Sequence, residues 1–120
     1  MAEVIVRFGV GPRLSNTVVH GGTGSTVYLS GLTGEGDTMA EQAADVLAKI
    51  DGSLAEAGTT KSSLLSATIW LSDMGNFAAW NDVWDGWATE LGPPPARACV
   101  EARLASPSAL VEIMVVAAVP

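Results

Sequence analysis

Arg97 and Glu112 are the residues of this chain best suited by type to do chemistry, and each sits in an apolar run that reads as a β-strand. Pro93-Pro94-Pro95 halts what precedes it, and Ala96 to Leu104 then alternates with the period of a strand. The run from Leu110 to Val119 is β-branched almost throughout, and Glu112 is its only ionisable residue. A lone buried carboxylate either takes up a proton or is heavily destabilising. Glu112 must therefore meet a cation, a donor or water, which makes it a candidate for chemistry. A plain hairpin about Ser106-Pro107-Ser108 would put Arg97 opposite Ala117, roughly 16 Å from Glu112 along the strand. Either the two strands are not neighbours in that register, or other segments or another chain complete the site.

The other groups capable of chemistry read as structural. Cys99 has no adjacent histidine or lysine to depress its pKa and reads as a small inert residue. His20 follows two valines at the mouth of a glycine-rich loop, a weak setting for acid–base work. Asp82 and Asp85 are three apart on a helical segment and read as a solvated face, Glu101 as surface, and Arg103 as a solvated rim. The loop Gly21-Gly22-Thr23-Gly24-Ser25 lacks both the lysine of a phosphate loop and the helix that follows a dinucleotide fingerprint.

The elements that must position these residues follow from periodicity. Val4 to Phe8 predicts a first strand. Thr17 to His20 and Thr26 to Ser30 predict two more, joined as a hairpin by the glycine-rich loop. Thr38-Met39-Ala40-Glu41 is a capping box, behind which Ala43, Val46, Leu47, Ile50 and Leu54 recur at helical spacing until Gly58. Leu64 to Leu71 predicts a strand. Asp73 or Asn76 can cap a second helix with the stripe Phe77, Trp80, Trp84, Trp87 and Leu91, whose tryptophans are core or interface anchors rather than a cofactor box. The order βββαβαββ over residues 1–120 predicts one α+β domain of two layers, a mixed six-stranded sheet with both helices on one face. In the last two strands, Ala96, Ala98, Val100, Ala102 and Leu104, and Val111, Ile113, Val115, Ala117 and Val119, are expected to face the helices. Arg97, Cys99, Glu112 and Met114 would then share the reverse face.

Composition bounds the partners. Apolar residues are 48% of the 120-residue chain and mean hydropathy is +0.33, so much apolar surface needs cover. No run is long enough for a membrane span, and burial between subunits of a homo-oligomer is the better explanation. A net charge of −7 repels polyanions, which speaks against nucleic acid. One cysteine and one histidine allow neither an intrachain disulfide nor a zinc site of the usual ligands. Met1 to Arg7 lacks the basic start and apolar length of a signal peptide, and a cytoplasmic protein is expected.

At Pro95-Ala96-Arg97-Ala98-Cys99-Val100-Glu101, followed by Val111-Glu112-Ile113, the chain resembles the RidA (YjgF/YER057c/UK114) family. Tyr28-Leu29-Ser30-Gly31, Ala67 to Met74 and Asn76 to Asn81 carry the likeness nearly end to end. The resemblance implies a chorismate-mutase-like fold and a homotrimer around a β-barrel core, with clefts between subunits. It further implies cofactor-free, metal-free hydrolysis of enamine or imine acids such as 2-aminoacrylate to keto acids and ammonia. Carried over by position, Arg97 would grip the substrate carboxylate and Glu112 would hold the attacking water. The main chain at Cys99 and Gly31 would contact the ligand, Asn81 would line the cleft, and Ser30 is a weaker match. The family's cleft tyrosine has no counterpart near Ser15 to His20, Leu32 replaces a frequent glutamine, and Met114 replaces a second glutamate, which marks a divergent subgroup. A trimeric small-carboxylate binding or regulatory protein without turnover is the alternative, and ribonuclease or translation-inhibitor activity is a weaker one against this acidity.

Overall fold

The capping box forms as read. Thr38 Oγ1 accepts from the Glu41 amide at 3.2 Å while the Glu41 carboxylate accepts from the Thr38 amide at 3.1 Å, and helix α1 runs Met39–Glu56. Its apolar stripe buries Ala43, Val46, Leu47, Ile50 and Leu54, and Gly58 turns the chain away at φ +86°, a conformation few side chains tolerate. In this computed structural model, which describes residues 4–120, the stripe lies on a mixed sheet. Its strands are β3 (Ser25–Tyr28), β4 (Leu32–Thr33), β5 (Leu64–Leu71), β6 (Ala96–Glu101) and β7 (Val111–Val119). The order is β3-β7-β5-β6, with β4 continuing along the same edge of β7 as β3. β5 and β7 are antiparallel, and β5 and β6 parallel.

Helix α2 (Phe77–Thr89) packs beside α1 on the same face. The Asp73 carboxylate accepts from the Gly75 amide at 2.8 Å, capping a 3-10 turn over Met74–Asn76 that leads into the helix, whereas the Asn76 side chain caps nothing. Trp80 and Trp84 are fully buried with ring centroids 6.0 Å apart, so the tryptophan stripe is core. Leu91, the last member of the expected stripe, lies beyond the helix and is exposed.

The two-layer α+β arrangement is as expected, but the first three strands differ. β1 (Val4–Val10) pairs with β2 (Ser15–Gly21) as a two-stranded ribbon of its own. The glycine-rich loop does not close a hairpin: β2 folds back on β1, while β3 crosses to β7 with Thr26 opposite Ala118. Pairing on β7, an inner strand that also carries β4 and β5, outweighs the local turn signal. The ribbon docks at the start of β6, where proline carbonyls with no sheet partner act as acceptors. Ser15 Oγ donates to Pro94 O at 2.6 Å, the Ser15 amide to Pro95 O at 2.9 Å, and Arg7 Nη1 to Pro94 O at 3.3 Å.

One buried amide ties the helical layer to the chain that feeds β7. Gln42 Nε2 donates to Gly36 O and to Ser108 O at 3.0 Å each, and its Oε1 accepts from the Leu110 amide at 2.8 Å. No helix among the described residues is long and apolar enough to cross a membrane. The residues Met1 to Glu3, part of the segment weighed as a leader, lie outside the described ones.

Candidate functional site

Arg97 and Glu112 lie on opposite faces of the sheet. Arg97 stands level with Ala67 and, through it, with Val115, both buried under the helices. Cys99 shares that face, level with Ile69 and Ile113. Glu112 is level with Trp70 and, through it, with Val100, on the other face. β5 separates β6 from β7, so two strand spacings and three residues of rise leave the two Cα atoms about 14 Å apart. The expectation that Arg97, Cys99, Glu112 and Met114 share one face is thereby corrected. β7 has the expected phase, whereas β6 is inverted and leaves Ala98 and Val100 exposed. Polarity alone suggested the wrong phase; parallel pairing to β5 sets it.

The first group gathers on the helical side. The Arg97 guanidinium carbon lies 5.4 Å from the Trp84 ring centroid, over its face. Its Nη1 is shut off from solvent, and the side chain makes no hydrogen bond or ion pair among the described residues. Burial lowers its pKa from the ordinary arginine value; the nearby Cys99 raises it, Arg13 lowers it and Asp85 raises it. Asn81 and Asp85 flank Trp84 on the same stripe of α2. Asn81 is 2% exposed, and its Oδ1 has no partner among the described residues. The Cys99 thiol is pushed up by burial, with Arg97 pulling the other way. Arg13 donates through Nε and Nη2 to the two oxygens of Asp85 at 2.9 Å each, and Trp84 Nε1 donates to the Arg13 carbonyl at 2.9 Å.

Glu112 belongs to a second group on the open face. A Cβ built on Gly31 would collide with Glu112 Oε2, so the loop carrying Ser30 and Gly31 passes directly over the carboxylate. Glu112 also lines a shallow depression of about 200 Å³ with Trp70, Ala102, Arg103, Leu104 and Ala105. Arg103 is thus the arginine sharing a hollow with Glu112 inside one subunit. Of the expected site residues, the structure joins Gly31 to Glu112, and Arg97 and Cys99 to the α2 stripe bearing Asn81, and it keeps the two groups apart. His20 sits in β2 opposite Ile5, in the ribbon.

The sequence pattern marks none of Arg13, Trp84 and Asp85 as a site residue, and Asp85 reads there as part of a solvated face. One signal was available for Arg13: it is one of four arginines in an acidic chain and follows Gly11-Pro12, a turn from which a side chain can be aimed. Among the described residues no three His, Cys, Asp or Glu side chains come together as metal ligands.

Comparison with known proteins agrees with this architecture. The family model described as Endoribonuclease L-PSP matches residues 8–119. The RutC family protein YoaB of Escherichia coli strain K12 is 44% identical over 116 residues, covering 96% of this chain and 98% of YoaB. A RutC family protein of Haemophilus influenzae is 41% identical, covering 88% of this chain and 90% of its own. Among solved structures, NMB1025 of Neisseria meningitidis, a member of the YjgF protein family, superposes with a TM-score of 0.77 at 50% identity, covering 98% of this chain and 96% of that one. Rv2704 of Mycobacterium tuberculosis, of the YjgF/YER057c/UK114 family, gives 0.75 at 28% identity, covering 98% and 100%. With the match running through both helices and every strand of the main sheet, the chain belongs to the RidA/YjgF family.

Proposed function

We propose that the protein is a cofactor-free deaminase of small enamine or imine acids, acting as a homotrimer. The observation that carries this reading is Arg97, a half-buried guanidinium with no acceptor among the described residues. An arginine fork matches a carboxylate bidentately, and a charge left unpaired at such a site is stabilised by a ligand that supplies two oxygens. In 2-aminoacrylate the enamine tautomerises unaided to the imine. Water held by Glu112 then adds at the imine carbon, and the carbinolamine expels ammonia to leave pyruvate. Glu112 takes a proton from the water, and the departing amine is protonated in turn. The main chain at Gly31 and Cys99 and the Asn81 amide line the substrate, with Ser30 at the margin.

Because Arg97 and Glu112 occupy opposite faces, one subunit supplies the carboxylate grip and its neighbour supplies the water. Exposed apolar side chains support such an assembly. Val4, Val6, Phe8 and Val10 line one side of β1, with Phe8 55% exposed, and Tyr28 is 76% exposed. Patches of this kind are covered in stable oligomers.

The test is release of pyruvate and ammonia from enzymatically generated 2-aminoacrylate by wild type, Arg97→Ala and Glu112→Gln. Both variants are expected to fall to the buffer rate. A full rate in Arg97→Ala would remove the site assignment.

A second reading, a small-carboxylate binding protein without turnover, is favoured by the separation of Arg97 from Glu112 within one subunit. It takes over if wild type binds pyruvate yet is no faster than buffer on a panel of amino-acid-derived imines. Ribonuclease activity, the property in the matched family model's description, fits poorly with a net charge of −7.

A further inference from the structure

The pair formed by Arg13 and Asp85 is held at Trp84, the ring on which the Arg97 guanidinium rests, and Arg97 takes no part in it. Among the described residues, Asp85 is the carboxylate whose charge reaches Arg97 and raises its pKa, though less than Cys99 does. Asp85 follows Trp84 in the chain. Freed, Asp85 would be the natural partner of Arg97: it is tethered nearby, and a tethered anion outcompetes a dilute one. It is not free. Both of its oxygens are taken by the fork of Arg13, which the indole N–H of Trp84 holds by its main-chain carbonyl. The three charged groups sum to a single positive charge, enough for one carboxylate monoanion.

We propose that Arg13 is a positioning residue that keeps Asp85 away from Arg97, so that the Arg97 guanidinium stays open to a carboxylate ligand. The proposal rests on the reading of Arg97 as the carboxylate grip. A bidentate fork does this better than a point charge, because it occupies both oxygens in one fixed plane. A lysine at position 13 would leave one oxygen of Asp85 able to turn toward Arg97.

The test is pyruvate binding by calorimetry to wild type, Arg13→Gln, Arg13→Lys, Asp85→Asn and the double variant Arg13→Gln/Asp85→Asn. Arg13→Gln is expected to weaken binding at least about tenfold, Arg13→Lys less, and Asp85→Asn not at all. The decisive arm is the double variant, expected to return to within about threefold of wild type, which loss of a merely structural contact would not produce. A structure-level readout accompanies it. The Asp85 carboxyl, followed by carbon NMR, is expected to keep a lowered pKa in Arg13→Gln, now because of Arg97, and to return to the ordinary aspartate range in Arg13→Gln/Arg97→Gln. If Arg13→Gln binds like wild type, or the double variant is as weak as Arg13→Gln, the proposal is overturned and the carboxylate reading survives. If wild type does not bind pyruvate, that reading fails and this proposal falls with it.

Discussion

Gly31 and Glu112 are packed so closely that a methyl group on the first would occupy the place of a carboxylate oxygen of the second. The relationship gives a reason for glycine there that does not depend on backbone angle, since Gly31 lies outside the positive-φ glycines. Gly31→Ala is expected to turn the Glu112 side chain aside. Activity on 2-aminoacrylate should drop by about tenfold or more, with KM changed less than kcat because the Arg97 grip is intact. Unaltered kinetics in a correctly folded Gly31→Ala protein would show that the position of Glu112 is unimportant.

The Trp84 indole is expected to be the costliest single truncation in the chain. It is fully buried, contacts Trp80 and Trp87, supports Arg97, and donates to Arg13 O. Trp84→Ala should lower stability by about 3–5 kcal/mol, read from urea unfolding midpoints, and it should also weaken carboxylate binding.

Acid sensitivity follows from Asp85. The hydrogen bonds from Arg13 hold its carboxyl below the usual range, with burial opposing and the charges of Arg13 and Arg97 adding to the effect. An unfolded-chain aspartate titrates near about 3.9, so the pair stabilises the fold above that pH, and the contribution is lost as pH falls through the lower folded value. The stability gap between wild type and Asp85→Asn should be constant at neutral pH and close as the solution is acidified below about pH 4. A gap that instead widened on acidification would contradict the assignment. Its size is small, as both side chains are more than a third exposed.

Cys99 is expected to be a slow thiol. Burial raises its pKa more than the Arg97 charge lowers it, so little thiolate exists at neutral pH. Reaction with a small disulfide reagent at pH 8 should be at least about tenfold slower than for free cysteine. Arg97→Gln should slow it further unless the substitution opens the site. Rapid labelling of the folded protein would revive Cys99 as a nucleophile.

The apolar side of β1 gives a test of assembly. Phe8→Asp is expected to convert a trimer to monomers in sedimentation velocity, and to abolish deamination while leaving secondary structure intact. Active monomers would refute a site built from two subunits.

Much of this architecture could be read from the amino-acid order because its signals are local. The Thr38–Glu41 cap, the stripe ending at Leu54 and the stop at Gly58 are each set within one helical turn of their neighbours. The pairing of β3 with β7 could not be read in this way, since it joins residues some ninety positions apart and competes with a convincing nearby turn. The face of β6 was lost for a related reason. Alternation in Arg97-Ala98-Cys99-Val100 has two phases, and a sequence in which alanine and valine meet solvent while arginine lies under a helix inverts the usual guide. That inversion marks Arg97 out, because an arginine turned inward with no acceptor among the described residues contradicts simple burial rules. Arg13 is hidden for the same reason as the pairing of β3 with β7, since its bidentate bond to Asp85 joins residues 72 positions apart.

The Gln42 side chain has a bearing on motion. Its carboxamide clasps the turn before α1, the Ser106–Ser108 return and the Leu110 amide at once, so the stretch entering the Glu112 strand cannot peel outward without unlatching the first turn of the helix as well. The clasp couples those openings into one event, and deuterium uptake at the Leu110 amide becomes a clock for the loosening of that whole arm of the molecule.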